Sequence, residues 1–349
     1  MPIAGTSRER MTVEVVRERC ARQLDRWRRA RYGPRAMIYR RRSRVAPLGV
    51  LVAGAAVALI AGCSLNEFAV STTAPVLLEA SKAFAYESDV QFAREAAPGQ
   101  LKTADGFLVS SPTNRNLLEI LARGYLEYAF AFLEDDLEAM PDDAAHHDSR
   151  VAVAARATVL HDRAFGYAMR YLGTFGKGVA GAYTKDTPGF EAALAGLPKG
   201  AVPGLLYGGM ALASAINLNR SDIARVAELP KAVAMIKRAY ALDKTFYNGM
   251  AAVTLGLVNA SQGKAMGGDP DAAKRYFEEA IQLTSGKYLM ARVLQARFYA
   301  VVIQDRVLFD KILHDVLSTA PDVMPSARLP NELAHRRATR YLKQAEDLF

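Results

Sequence analysis

Apolar residues recur at positions i, i+3, i+4 and i+7 from about residue 75 to the end of the chain, whereas alternation with a period of two is hard to find. The first pattern is typical of amphipathic helices and the second of strands. Turn-forming segments such as MPDD and GGDP separate the periodic stretches, and APGQ, GTFGKGVAG and DTPG are assigned to turns in the same way. The sequence therefore predicts an all-α fold, with helices at about 75–97, 113–138, 149–173, 201–218, 230–242, 245–262, 270–284, 288–303, 305–319 and 329–348.

One spacing of apolar residues recurs in the second half of the chain. The recurring positions are Ala232, Ile236 and Ala239, then Ala273, Phe277 and Ala280, then Phe309, Leu313 and Val316, with a fainter copy at Tyr86, Val90, Ala93 and Pro98. The spacing looks like the second helix of a tetratricopeptide (TPR) repeat, in which small residues let the next helix approach. A TPR-like solenoid of helical hairpins is one interpretation, and an irregular helical solenoid is the alternative.

An uncharged run of 18 residues, 45–62, precedes this helical region and ends at Cys63. Arg40, Arg41, Arg42 and Arg44 stand before it, which is the order of a secretory signal peptide. The boundary Leu59-Ile60-Ala61-Gly62-Cys63 resembles the bacterial lipobox, which implies that Cys63 becomes a lipid-modified N-terminus. The alternative is an uncleaved membrane anchor with Cys63 as a buried thiol. We predict two parts, 1–62 as basic extension and signal peptide and 63–349 as the helical domain. Both Met1 and Met37 are possible translation starts.

The excess of positive charge lies only in the N-terminal tail. Residues 1–44 hold 14 Arg and 4 acidic residues, which leaves 31 basic and 32 acidic residues in 45–349. The helical domain is close to neutral and has no basic stripe with interleaved aromatic residues, so we exclude a nucleic-acid partner.

Three motifs that could indicate chemistry have simpler explanations. GKGVAG at 176–181 has the letters of a dinucleotide-binding loop but lacks the preceding strand, and we interpret it as a helix C-cap and loop. His146 and His147 are interpreted as part of a polar loop in which Asp148 is the helix N-cap. In GGDPDAAK, Asp269 is predicted as N-cap and Pro270 as the first helical residue. We therefore expect no enzyme activity, no metal and no cofactor.

Two predicted helical segments, 200–219 and 245–263, have almost no charge. A helix that is apolar all round must be buried on every side. Either both helices fill a tight core, or they wall an apolar pocket. In the second case the sparse polar side chains that could contact a ligand are Tyr207, Asn217, Tyr247, Asn248 and Asn259.

The order of these segments resembles the TatT family, the periplasmic TPR lipoproteins associated with tripartite ATP-independent periplasmic (TRAP) transporters. The resemblance rests on Cys63, on the segment 97–134, on LPKAVAMIKRAYALDKTFYNG, GGDPDAAKRYFEEAI and QDRVLFDKILHDVL, and on the C-terminal LPNELAHRRATRYLKQAEDLF. It implies a lipoprotein that is anchored to the outer membrane and partners the transporter's substrate-binding protein without catalysis. In that family, three-fold oligomerisation and an apolar ligand cleft have been proposed.

The sequence and this resemblance suggest two alternative functions. The first is an accessory transport component that binds a substrate-binding protein and passes on a small apolar or organic-acid ligand. The alternative is a lipoprotein scaffold for assembling cell-envelope proteins, with no ligand.

Overall fold

The computed structural model describes residues 66–176, 178–261 and 268–349. Every regular element in these ranges is helical, and they contain no strand, which confirms the all-α prediction. The signal peptide and Cys63 lie outside the described residues, so the division at residue 63 stays a prediction. The TPR-like part of the fold prediction also stays a prediction.

The first half of the chain supplies seven helices to these ranges. They are α1 (66–81), α2 (Val90–Ser110), α3 (Arg115–Tyr128), α4 (Glu134–Ala139), α5 (His147–Gly173), α6 (Gly178–Tyr183) and α7 (Thr187–Ala195). A 3-10 turn, Lys82–Tyr86, follows α1, and a π-helical turn, Ala129–Leu133, joins α3 to α4.

The second half continues with α8 (Val202–Leu218), α9 (Ile223–Val226), α10 (Leu229–Leu242), α11 (Phe246–Ser261), α12 (Pro270–Leu283), α13 (Leu289–Gln295), α14 (Arg306–Ser318), α15 (Arg328–Lys343) and α16 (Ala345–Leu348). A π-helical turn, Ala296–Ala300, follows α13. Short 3-10 turns at Pro321–Val323 and Pro325–Ala327 lead into α15.

Acidic and amide side chains fix where many of these helices begin. The carboxylate or amide oxygen of each capping residue accepts a hydrogen bond from a backbone N–H of the first turn, which satisfies a donor that has no partner within the helix. The predicted cap at Asp269, with Pro270 next, is confirmed. A side-chain hydrogen bond of the same kind caps the start of five other helices, at Asp89, Asn114, Asp186, Asp222 and Asp305.

The recurring apolar positions are core positions. All nine residues of the three clear copies, on α10, α12 and α14, are fully buried. The fainter N-terminal copy holds only at its two middle positions, since Ala93 is buried and Val90 packs half-buried against the core, whereas Tyr86 is exposed and Pro98 lies inside α2 rather than closing a helix. Proline normally interrupts a helix, but Ala93 before it and Leu101 after it are both buried, so packing holds one helix across it.

Two other local predictions also fail. The helix predicted at about 149–173, with Asp148 as its N-cap, begins at His147, where Asp143 accepts hydrogen bonds from both the backbone N and the ring Nδ1 of the preceding His146. Asp148 therefore lies in the first turn instead of capping it. The predicted loop between α5 and α8 contains α6 and α7, since Asp186 in DTPG acts as an N-cap with proline in the first turn.

Consecutive long helices pack on each other and place α8 in the core. α5 packs against both α3 and α8, and α8 also packs against α10. Glycines on α8 permit this approach. A Cβ at Gly209 would lie 2.6 Å from Cγ1 of Ile236, and one at Gly208 would lie 2.6 Å from Cε of Met235. By length and composition the segment Lys199–Leu218 could cross a membrane, but two thirds of it is buried inside the fold, as expected for a core helix.

The two ends of the described chain meet. The Lys82–Tyr86 turn contacts α15 and the turn Pro325–Ala327, and α15 also contacts α2. Arg337 and Arg340 of α15 bind Asp135 on α4. The helical array is therefore closed on itself, and its early and late elements border the same interior space.

Candidate functional site

A cavity of about 520 Å³ lies between the early and late helices. Its walls come from the Lys82–Tyr86 turn, α2, α3, the start of α11, Tyr207 of α8, and the segments near Tyr288 and Leu329. Most of the wall is apolar, with a few polar side chains in it. This size and composition are typical of small-molecule sites in proteins.

Helix α3 brings three charged residues to the cavity. Glu119, Arg123 and Glu127 are spaced four residues apart, so they lie on one helix face, and all three line the cavity. The opposite face of α3 is held in the core by the fully buried side chains of Leu117, Leu118 and Leu121. The core packing of α3 therefore fixes the direction in which the charged face points.

Arg123 is the central charge of this row. Its Nη2 donates to Oγ of Ser81 at 2.5 Å, and its Nε lies 3.8 Å from Oε1 of Glu127. Burial lowers the pKa of Arg123, but Glu127, the hydroxyls of Tyr207 and Tyr247, and Glu119 raise it by more, so the pKa is raised overall. Arg123 is therefore a permanent cation in the wall.

Glu127 is held by a tyrosine from the other side of the cavity. The hydroxyl of Tyr247 donates to Oε1 of Glu127 at 2.5 Å, although the two residues are 120 positions apart. Burial raises the pKa of the Tyr247 hydroxyl well above its ordinary value, and the charge of Glu127 adds to the effect. Tyr247 is therefore a neutral hydrogen-bond donor.

Glu119 differs from the other two charged groups. Within the described ranges, its carboxylate has neither a hydrogen bond nor an ion pair within 4.0 Å. Burial raises its pKa above the ordinary carboxyl value, while Arg123 and Lys82 oppose that rise less strongly. A carboxylate with this environment is available to a ligand.

An unusual backbone conformation places Tyr247 and Asn248 at the cavity. Tyr247, Asn248 and Gly249 have consecutive positive φ angles of 51°, 57° and 75°, at the start of α11. This left-handed turn costs roughly 1–2 kcal/mol for each residue with a side chain. Such strain persists where surrounding contacts hold it, and it is concentrated at functional sites. Here the Tyr247–Glu127 hydrogen bond and the packing of Tyr247 on Tyr207, with ring centroids 5.5 Å apart, supply contacts of that kind.

The structure brings together three of the five residues predicted to contact a ligand. Tyr207, Tyr247 and Asn248 line the cavity. Asn217 and Asn259 are not among its lining residues. Asn217 accepts from Nε of Arg220 at 3.0 Å, and Asn259 donates to the carbonyl of Leu255, one turn earlier on its own helix. Cys63, the predicted lipidation site, lies outside the described residues.

The charged row on α3 was not predicted from the sequence as part of the site. The signal was present, because in EILARGYLE the charged residues Glu119, Arg123 and Glu127 recur every fourth position between mostly apolar residues. Three charges on one face are ordinarily interpreted as a solvated surface. Only the closure of the helical array, which puts Tyr207 and Tyr247 opposite them, makes this face an interior wall.

Two histidines outside the cavity, His161 and His335, have local partners. His161 is fully buried, with Nε2 2.7 Å from Oε1 of Glu134, and Nε2 of His335 lies 2.9 Å from the carbonyl of Thr319. Among the residues that the structure describes, no group of three His, Cys, Asp or Glu side chains could hold a metal ion.

Two comparisons with known proteins bear on the family of this chain. An uncharacterized protein of Treponema pallidum (strain Nichols) is 25% identical over 307 residues, which cover 83% of this chain and 94% of that protein. The model of the TRAP transporter T-component family matches residues 86–349, which include every helix from α2 to α16. The chain therefore belongs to the TRAP transporter T-component family, whose role in TRAP transport is an accessory one.

Proposed function

We propose that this protein is a non-enzymatic, ligand-binding accessory component that works together with the substrate-binding protein of its transporter. The cavity beside α3 carries the proposal. Its volume of about 520 Å³ suits a small molecule, and its apolar wall with a few charged and hydroxyl groups suits a small apolar or organic-acid ligand.

Occupancy of the cavity is tested by native mass spectrometry of the full chain purified from its own membrane. We expect a small molecule to be retained by the protein and released on unfolding. Ala97 lines the cavity, so Ala97→Phe should reduce the retained fraction. Ala96→Phe is the matched control, because Ala96 is the neighbouring residue of α2 and does not line the cavity. If the natural protein and both variants all retain no small molecule, the scaffold function is favoured instead.

The substrate-binding protein of the transporter is the proposed partner. The accessory role of the family supports a direct contact, and a closed helical array that holds a ligand is suited to passing it to a second binding protein. We expect the purified chain to bind that protein in solution, measured by isothermal titration calorimetry. Native mass spectrometry of the same sample reports whether the chain forms the trimer that the family resemblance implies. No interaction with the substrate-binding protein would contradict the proposed partnership.

Lipid anchoring at Cys63 is the proposed means of localisation, in the periplasm and at the outer membrane. Each buried CH₂ of an acyl chain contributes about 0.8 kcal/mol, so more than one chain holds a protein stably on a membrane. Treatment with globomycin, which inhibits lipoprotein signal peptidase, should leave an unprocessed precursor. Cys63→Ala should abolish labelling with a fatty-acid analogue. Undiminished labelling of the variant would exclude Cys63 as the anchor.

A further inference from the structure

The charge of the α3 row is unbalanced towards the negative side. Arg123 lies one turn after Glu119 and one turn before Glu127, so a single cation separates two carboxylates on the cavity wall. The fourth charged lining residue, Lys82, is exposed, and its Nζ is 2.6 Å from Glu79. The four charges of the described lining sum to zero, but Lys82 is exposed and shares its charge with Glu79, so the half-buried α3 row has two carboxylates for one cation.

The partners already present decide which of the two carboxylates is available. Glu127 accepts a hydrogen bond from Tyr247 and lies beside Arg123, so both neighbours compensate it. Glu119 has no hydrogen bond and no ion pair within 4.0 Å in the described part of the chain, and Arg123 and Lys82 attract it only from a longer distance. Glu119 is half-buried and lines the cavity. A ligand that donates to Glu119 would form a charge-assisted hydrogen bond there, which is stronger than a hydrogen bond between neutral groups.

Aromatic rings in the cavity also favour a positively charged ligand. Tyr207, Phe246 and Tyr247 all line it, and the centroid of the Tyr207 ring lies 5.8 Å from that of Phe246 and 5.5 Å from that of Tyr247. The faces of aromatic rings are negative and attract organic cations. An ammonium group in the cavity would thus be attracted both by the carboxylate of Glu119 and by any ring face that it meets.

An organic acid would meet the opposite situation. Arg123 and the exposed Lys82 are the cations in the described wall that could bind a carboxylate, but Ser81 and Glu127 already contact the guanidinium, and Glu79 already pairs with Lys82. A carboxylate placed beside Arg123 would also lie close to Glu119 and Glu127. Like charges at close range in a partly buried site repel strongly, because little water screens them.

We propose that the ligand of this cavity is a small apolar molecule with a protonated amine, which donates to Glu119, and that organic acids are disfavoured. The inference rests on the proposed function, because it requires that the cavity hold a ligand. It narrows the small apolar or organic-acid class to an apolar amine.

Three probes with one apolar body test the inference by isothermal titration calorimetry on the full chain. Adamantylamine, adamantanol and adamantanecarboxylate differ in charge and in their polar group. We expect the amine to bind about ten- to a hundred-fold more tightly than the carboxylate, which is the usual range for a hydrogen bond to a charged group. The alcohol should lie between them.

Two substitutions assign the effect to its residue. Glu119→Gln keeps the shape of the side chain and removes its charge, so it should weaken amine binding at least about tenfold and change alcohol binding little. Glu95→Gln is the control, because it removes the same charge from an exposed position on α2. Glu119→Gln is also expected to fold, since a neutral group of the same shape replaces a half-buried charge.

The outcomes separate this inference from the function on which it rests. Tighter binding of the carboxylate, equal binding of all three probes, or an unchanged affinity in Glu119→Gln would overturn the inference while leaving a ligand-binding cavity. Binding of none of the probes to a protein that still retains a native small molecule would also overturn the inference alone. Binding of none of them to a protein that retains no small molecule would overturn both.

Discussion

Asp135 and Arg337 are 202 positions apart in the sequence and form an ion pair in the interior, with Nε of Arg337 3.2 Å from Oδ1 of Asp135. Arg337 is 1% exposed and Asp135 is 4% exposed. Nη2 of Arg340 donates to the same carboxylate oxygen at 2.7 Å. The guanidinium of Arg337 also donates to the carbonyl of Phe130, a lining residue of the cavity. These contacts join α4 to α15 and close the helical array around the cavity.

Removal of the Asp135 carboxylate should destabilise the protein strongly. Asp135→Ala leaves the buried guanidinium of Arg337 without its ionic partner, and breaking a buried pair in this way costs about 3–5 kcal/mol. We expect a loss of that size in the free energy of unfolding, measured with urea. Glu278→Gln is the control, because Glu278 forms an exposed pair with Lys274 and should change stability little. A small change in Asp135→Ala would show that closure does not depend on this pair.

A close contact between α8 and α10 predicts that Gly209→Ala is destabilising. The added Cβ would lie 2.6 Å from Cγ1 of Ile236 and 3.0 Å from the carbonyl oxygen of Ala232. The backbone contact cannot be relieved by a side-chain rotation, so we expect a loss of about 1–3 kcal/mol in unfolding free energy. Gly166→Ala is the control on α5, where no atom lies within 4 Å of the new Cβ. There the better helix propensity of alanine should stabilise the protein by up to about 1 kcal/mol.

The left-handed turn at the cavity predicts a second sensitive glycine. Gly249 has a φ of 75°, and its Cβ would lie 3.2 Å from Cδ1 of Leu283. Gly249→Ala should therefore cost about 1–2 kcal/mol in unfolding free energy. Because Tyr247 belongs to the same turn, binding of the cavity ligand should weaken as well. Gly106→Ala on α2, in open space, should do neither. Unchanged stability and ligand binding in Gly249→Ala would show that the turn tolerates an L side chain.

The elements of this fold could be predicted from the sequence because their signals are local. Apolar spacing identified Phe277 and Leu313 as core residues, and Asp269 followed by Pro270 identified the start of α12. Local signals failed at Pro98, where burial of the residues on both sides overrides the usual effect of proline. They also failed at Asp186, since an N-cap and a turn use the same residue types.

The cavity was harder to predict than the helices, because its walls meet only through long-range contacts. Tyr207 and Tyr247 were identified from the lack of charge around them, and both line it. Glu119 could not be identified in this way, since its burial depends on elements such as α15 that follow about 200 residues later. The ion pair between Asp135 and Arg337 shows the same difficulty, because no spacing rule relates α4 to α15.

The burial of Glu119 predicts a stability difference that depends on pH. Burial raises the pKa of the Glu119 carboxyl above its ordinary value of 4.5. The folded protein therefore holds this proton more tightly than the unfolded chain does. Between the ordinary pKa and the raised pKa, the unfolded chain loses this proton while the folded protein keeps it. The free energy of unfolding therefore falls as the pH rises over this interval. Glu119→Gln removes this loss.

We therefore expect Glu119→Gln to be more stable than the natural protein at pH 7, with an advantage that declines as the pH falls through the raised pKa and vanishes below about 4.5. Urea unfolding of both proteins across this pH range measures the difference, in which the titration of all other shared groups cancels. Glu95→Gln, at an exposed position, controls for the change in net charge. A stability difference that is constant with pH, or one that favours the natural protein at pH 7, would mean that Glu119 has a stabilising partner in the folded state.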